Sequence, residues 1–107
     1  MNLDKIVFGS RTVNLNFIDK DTADKKKIFG EFHCDKNEIT IDKSLDTQQL
    51  LNTIIHEINH LLCDEYKLEL SAKAEELVCN SLANGMCHIL YQNPELLEFL
   101  YKSLKKA

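Results

Sequence analysis

The apolar pattern of this chain changes its period once, near Asp46, and that change decides the fold class. Before it, Val13, Leu15 and Phe17 alternate with Thr12, Asn14 and Asn16, as in a half-buried strand. After it, Leu50, Leu51, Ile54, Ile55, Ile58, Leu61 and Leu62 recur with the period of an amphipathic helix. Strands first and helices second predict an α+β fold, with a small N-terminal antiparallel sheet followed by three helices. A chain of 107 residues has room for one domain, spanning 1–107, and one modest core.

Local signals place the elements. Ile28 to Asp42 reads as a hairpin: Phe32 and Cys34 share one face, Glu31 and His33 the other. Asp35-Lys36-Asn37 supplies its turn, and Ile39 and Ile41 resume the alternation. Asp19 to Lys27 is polar and reads as a loop carrying a solvated lysine run. Asp46, with Gln49 three residues on, predicts the start of the first helix, which runs to about Glu65. Ser71 predicts the cap of the second, with Val78, Cys79, Leu82, Met86, Ile89 and Leu90 on its inner face. Gly85 within it predicts close packing against a neighbour. Asn93-Pro94 ends that helix and starts a third, whose apolar face is Leu96, Leu97, Leu100 and Leu104.

Composition narrows the functional classes. The net charge is −4 and the short lysine clusters are not interleaved with aromatics, which argues against a nucleic-acid groove. No apolar run approaches the roughly 18–20 residues of a membrane span. Met1 to Ser10 lacks the apolar stretch of a secretion signal. Cys34, Cys63, Cys79 and Cys87 show no paired spacing, so they read as reduced thiols of a cytoplasmic protein.

The first helix carries His56-Glu57-Ile58-Asn59-His60, an H-E-x-x-H pattern. Histidines four apart lie one above the other on a helix, so both imidazoles can reach one metal ion. The intervening glutamate can take a proton from water activated by that metal. At 100° per residue, the two histidines fall roughly opposite the apolar stripe of their own helix. A plain amphipathic helix would leave that side in water. A second element covering it is therefore expected.

A zinc site with an open position needs a third protein ligand. The second helix offers Glu75 and Glu76. Taking Val78 as zero, its bulky apolar face centres near about 50°, with Glu75 at about 60° and Glu76 at about 160°. A carboxylate in the middle of an apolar face is costly unless something pairs with it. Glu75 is the expected third ligand beside His56 and His60, with Glu76 the alternative.

H-E-x-x-H followed by a glutamate on the next helix is the gluzincin pattern. The segments His56–Leu62, Glu75–Val78, Leu82–Met86 and Asn93–Leu96 resemble small phage-type metallopeptidase-like proteins, relatives of the ImmA/IrrE-type zinc peptidase domain. The resemblance spans about Gly30 to Leu97, and H-E-x-x-H is its specific part. It implies a minimal zincin-like domain, and a hairpin ahead of the motif helix, here Gly30 to Asp42, whose edge binds an extended peptide. The expected function is zinc-dependent hydrolysis of a peptide or protein substrate, with Glu57 as general base. The alternative is a non-catalytic, zinc-bound module that binds a peptide or protein.

Other polar residues have plainer readings beside functional ones. Asp64 either orients a ligand histidine or ends its helix. Asn80 could support the site from the second helix. Tyr66 is a candidate oxyanion donor against packing at a helix end, and His33 and His88 read as surface residues.

Overall fold

The computed structural model describes residues 3–107. Four strands form one sheet: β1 (Lys5–Phe8), β2 (Arg11–Ile18), β3 (Gly30–His33) and β4 (Glu38–Asp42). The order across the sheet is β1-β2-β4-β3, which leaves β3 on an edge. Four helices complete the described residues: α1 (Lys20–Lys26), α2 (Thr47–Glu65), α3 (Ala72–Gln92) and α4 (Pro94–Lys106). The α+β order read from the sequence is the one observed.

An all-antiparallel sheet, expected from the alternation, does not form. The hairpin pairs β1·β2 and β3·β4 are antiparallel, but β2 runs parallel to β4, with Leu15 opposite Ile39 and Phe17 opposite Ile41. Strand alternation reports which face is buried and says nothing of direction. Direction is decided by the connection: the chain leaves β2 through α1, runs along the edge as β3, and turns back between β3 and β2 as β4.

That helix, α1, occupies the stretch expected to be a loop. Asp19 caps it, accepting a hydrogen bond from the Thr22 backbone N–H at 2.8 Å. Asp21 sits in the first turn and Lys25 and Lys26 in the last, each sign where the helix dipole favours it. Lys27 ends it in the left-handed conformation, φ 57°. The lysine run is thus the end of a short helix.

Val13, Leu15, Ile39, Ile41 and Leu61 form the core, with Ile6, Phe32, Leu50 and Ile54 packed on it. The inner face of β2 and β4 thus lies against the apolar stripe of α2. Asp46 and Ser71 cap α2 and α3 as expected, accepting from the Gln49 and Ala74 backbone N–H groups. Asn93 does not cap α4 through its side chain; that amide donates back to the Ile89 carbonyl of α3 at 2.8 Å.

The largest departure concerns α3. Its buried residues are Cys79, Ala83 and Cys87, a line of small side chains four apart that packs against α2. Val78, Leu82, Met86 and Ile89, expected inside, are 37–52% exposed. Gly85 is also outside, with nothing within 4 Å of a Cβ built on it, so the close approach expected there is absent. Small residues let two helix backbones come together, and that closeness carries the first turns of α3 over the histidines of α2. Among the described residues, no helix is long and apolar enough to cross a membrane.

Candidate metal centre

The side of α2 opposite the core is covered, as its histidines required. His56 and His60 are mostly buried, with side-chain exposures of 13% and 18%. β3 covers one flank and α3 the other. The approach of β3 depends on Gly30: a Cβ there would stand 2.5 Å from Thr53 Cγ2 and 3.4 Å from Glu57 Cγ. Asn59, inside the motif, is buried and donates to the Cys79 carbonyl at 3.4 Å, joining α2 to α3 beside the site.

Three donors converge. His56 Nε2 and His60 Nε2 are 3.1 Å apart. The Glu76 carboxylate reaches both, Oε1 to His56 Nε2 and Oε2 to His60 Nε2, each at 3.1 Å. Glu75, expected as the third ligand, does not join them; its Oε2 lies 2.6 Å from the other nitrogen of His60, Nδ1. The physical reason is the inner face of α3. The line of Cys79, Ala83 and Cys87 centres roughly 140° from Val78, which puts Glu76 within about 20° of it and Glu75 about 80° away. A tetrahedral ion with bonds of about 2.0–2.1 Å to its donors holds them roughly 3.3–3.4 Å apart. Two imidazoles and a carboxylate are donor types that such an ion takes; His56, Glu57 and His60 also offer one ligand atom each within 4.8 Å of one another.

Glu57 stands beside this group, its Oε2 3.8 Å from His56 Nε2 and its side chain 8% exposed. Burial pushes its carboxyl up to about 7; the charge of His60 and the Phe32 backbone N–H on β3 work against that shift. Burial lowers His56, and the nearby charge of His60 adds to this, while Glu76 opposes it. Burial also disfavours the charged form of His60. There the bond to Glu75 and the charges of Glu57 and Glu76 win, holding it above the ordinary histidine value.

The donors open into a cleft of about 640 Å³ whose walls include Gly30 and Phe32 of β3 and Cys63, Asp64, Lys67 and Leu68 around the end of α2. A smaller cavity continues past His56, Glu57 and Glu76 towards Phe29, Asn52 and Asn80. The resulting trough runs beside the edge strand.

Asn80, expected to support the site from the second helix, bonds His56 through its side chain; the other candidates separate. Asp64 binds Arg11 at 2.9 Å instead of orienting a histidine. Arg11 also bonds Glu65 and Asn37 and lies 5.6 Å from the centre of the Phe32 ring, so it pins β3 and the β3–β4 turn to the end of α2. Tyr66 packs edge-on against Phe8 at the helix end, outside the cleft. His33 pairs with Glu31 at 3.1 Å, and His88 is exposed near the far end of α3. All four cysteines are free thiols; burial, then the neighbouring Cys63, pushes Cys79 up to about 12. Gly30 and Arg11 escaped the sequence reading. Gly30 opens the alternating strand β3 and carried a signal; Arg11 carried none.

Comparison with protein-family models, with curated proteins and with solved structures finds no match to this chain.

Proposed function

We propose that this chain is a zinc-dependent metallopeptidase of the gluzincin type, with His56, His60 and Glu76 as ligands and Glu57 as general base. The observation that carries the reading is the convergence of two imidazole Nε2 atoms and one carboxylate at 3.1 Å, on the wall of an open cleft and next to a buried glutamate. Three protein ligands leave one position for water or substrate, the mark of a catalytic rather than a structural site. When bound, zinc supplies Lewis acidity at that position.

The chain's own residues then divide the work. Glu57 accepts a proton from the attacking water at a carboxylate oxygen and returns it to the leaving amine. β3 bonds β4 along one side only, so its other edge can bond an extended peptide lying in the trough. Phe32 and Gly30 hold that edge against Glu57. The four thiols suit a reducing, cytoplasmic setting.

The second reading is a non-catalytic zinc-bound module that binds a peptide or protein. One observation favours it: Tyr66 is held on Phe8, so the cleft lacks the phenolic donor expected there for a developing oxyanion.

Elemental analysis and turnover of a mixed peptide pool separate these readings. The enzyme reading expects about one zinc per chain, loss of turnover on chelation, and return on adding zinc. Zinc without turnover supports the module. Equal zinc in wild type and His56→Ala rules out the site.

A further inference from the structure

We propose that Glu75 is a positioning residue for this centre: its carboxylate accepts the Nδ1 proton of His60 and so, in the neutral ring, leaves the lone pair on Nε2, aimed at the metal position. The inference rests on the zinc reading above. Glu75 Oε2 stands 2.6 Å from His60 Nδ1, in the short range of bonds to an ionised acceptor. A neutral imidazole carries a single proton, so a proton held on Nδ1 leaves the lone pair on Nε2. Nε2 is the atom that faces Glu76 Oε2 and His56 Nε2, each at 3.1 Å. Consecutive residues of one helix thus act on opposite nitrogens of one ring.

Glu75 is well placed for this. It lies in the first turn of α3, and that turn is fixed by Ser71, whose hydroxyl accepts from the Ala74 N–H and whose carbonyl accepts from the Glu75 N–H. Its side chain is 29% exposed, against 53% for Glu76, so water competes less for its oxygens. Both glutamates line the cleft, Glu75 at Nδ1 of His60 and Glu76 at Nε2. A partner of this kind on a ligand histidine contributes about 10–100-fold in metal affinity.

The test compares wild type, Glu75→Ala, Glu75→Gln and Glu76→Ala. Zinc affinity is read by competition with a chromophoric chelator. The His60 tautomer is read from nitrogen-resolved imidazole spectra of the metal-free proteins at about pH 8. Glu75→Ala should keep one zinc per chain, weaken its binding by roughly 10–100-fold, and move His60 towards the Nε2–H tautomer. Glu75→Gln, whose amide oxygen still accepts, should recover most of both. Glu76→Ala should lose more affinity and leave the tautomer as in wild type. An unchanged tautomer in Glu75→Ala overturns the proposal, as does unchanged zinc affinity beside a changed tautomer. If wild type binds no zinc, the metal reading fails by itself, and the tautomer still decides whether Glu75 orients the ring. Should the alanine variant unfold, Glu75→Ser carries the same comparison.

Discussion

Gly30 lies so close to Thr53 that a Cβ added to the glycine would stand 2.5 Å from Thr53 Cγ2. The contact joins the edge strand to the helix that carries the histidines, one turn before Glu57. Its tightness makes the glycine a requirement of the site's geometry, although its backbone needs no special conformation.

Gly30→Ala should therefore cost about 1–3 kcal/mol, the usual range for overpacking a filled interior. Thr53→Ser removes the offending methyl and should return part of that loss in the double variant. The rescue stays partial because the Thr40 carbonyl is 3.2 Å from the same point. Denaturant melts of the two single variants and the double variant give the coupling. Additive costs would show that the contact is not what limits residue 30.

Gly85 makes the opposite case. It sits inside α3, and a Cβ there meets nothing within 4 Å. Gly85→Ala should stabilise the chain by about 0.5–1 kcal/mol, through helix propensity alone. A fall in stability would mean that something not seen in this structure packs on that face.

These glycines show where the sequence was legible and where it was not. Periodicity and caps located α2, α3, α4 and the β3–β4 hairpin, because those signals are local. They also placed His56 and His60 away from the core under a covering element. The inner face of α3 was not legible in the same way. Apolar bulk pointed to Val78, Leu82, Met86 and Ile89, yet the helix packs through Cys79, Ala83 and Cys87. That choice turns the helix by roughly 90° and brings Glu76, not Glu75, to the Nε2 atoms of both histidines. Small residues spaced by four were the available sign. The parallel pairing of β2 with β4 had no local sign at all, since it depends on how the chain crosses between them.

Arg11 joins segments far apart in sequence, through Asp64 at 2.9 Å, Asn37 at 2.7 Å and the Phe32 ring. Its side chain is 18% exposed, while Asp64 is 41% exposed and partly served by water. Arg11→Met should lower stability by about 1–2 kcal/mol, mostly through the bond to Asn37 and the packing on Phe32. Asp64→Ala should cost less than about 1 kcal/mol, as an exposed pair does. Equal costs for the two variants, measured by thermal melting, would place the energy in the ion pair instead.

Zinc removal should loosen the chain if the proposed ligands hold the ion. The ion would join α2 to α3 through His56, His60 and Glu76, so its binding free energy is in part folding free energy. Chelation should lower the melting temperature by several degrees or more for a domain of this size. His60→Ala should lower it in zinc-loaded protein by a similar amount and leave little response to chelator. An unchanged melt after chelation of a zinc-loaded sample would place the metal elsewhere on the surface.

Glu57 gives the sharpest test in metal-free protein, because its carboxyl is buried without a cation bonded to it. Burial raises it from an ordinary 4.5 to about 7 in the folded chain. Below about pH 4.5 both folded and unfolded chains hold the proton, and the group imposes no cost. As pH rises, the unfolded chain releases its proton first. Stability therefore falls until pH passes the folded value of about 7, and then levels off. A shift of this size corresponds to roughly 3 kcal/mol at most. Glu57→Gln keeps the shape and removes the ionisation. The metal-free variant should match wild type near pH 5 far more closely than near pH 8, where it should be more stable by about 1–3 kcal/mol. In zinc-loaded protein the same change should keep the metal and reduce any turnover by on the order of 10²-fold or more, since the amide cannot take the proton. Equal pH dependence of unfolding in the two metal-free proteins would show that Glu57 is not held in a desolvated site, and undiminished turnover would remove it as the base.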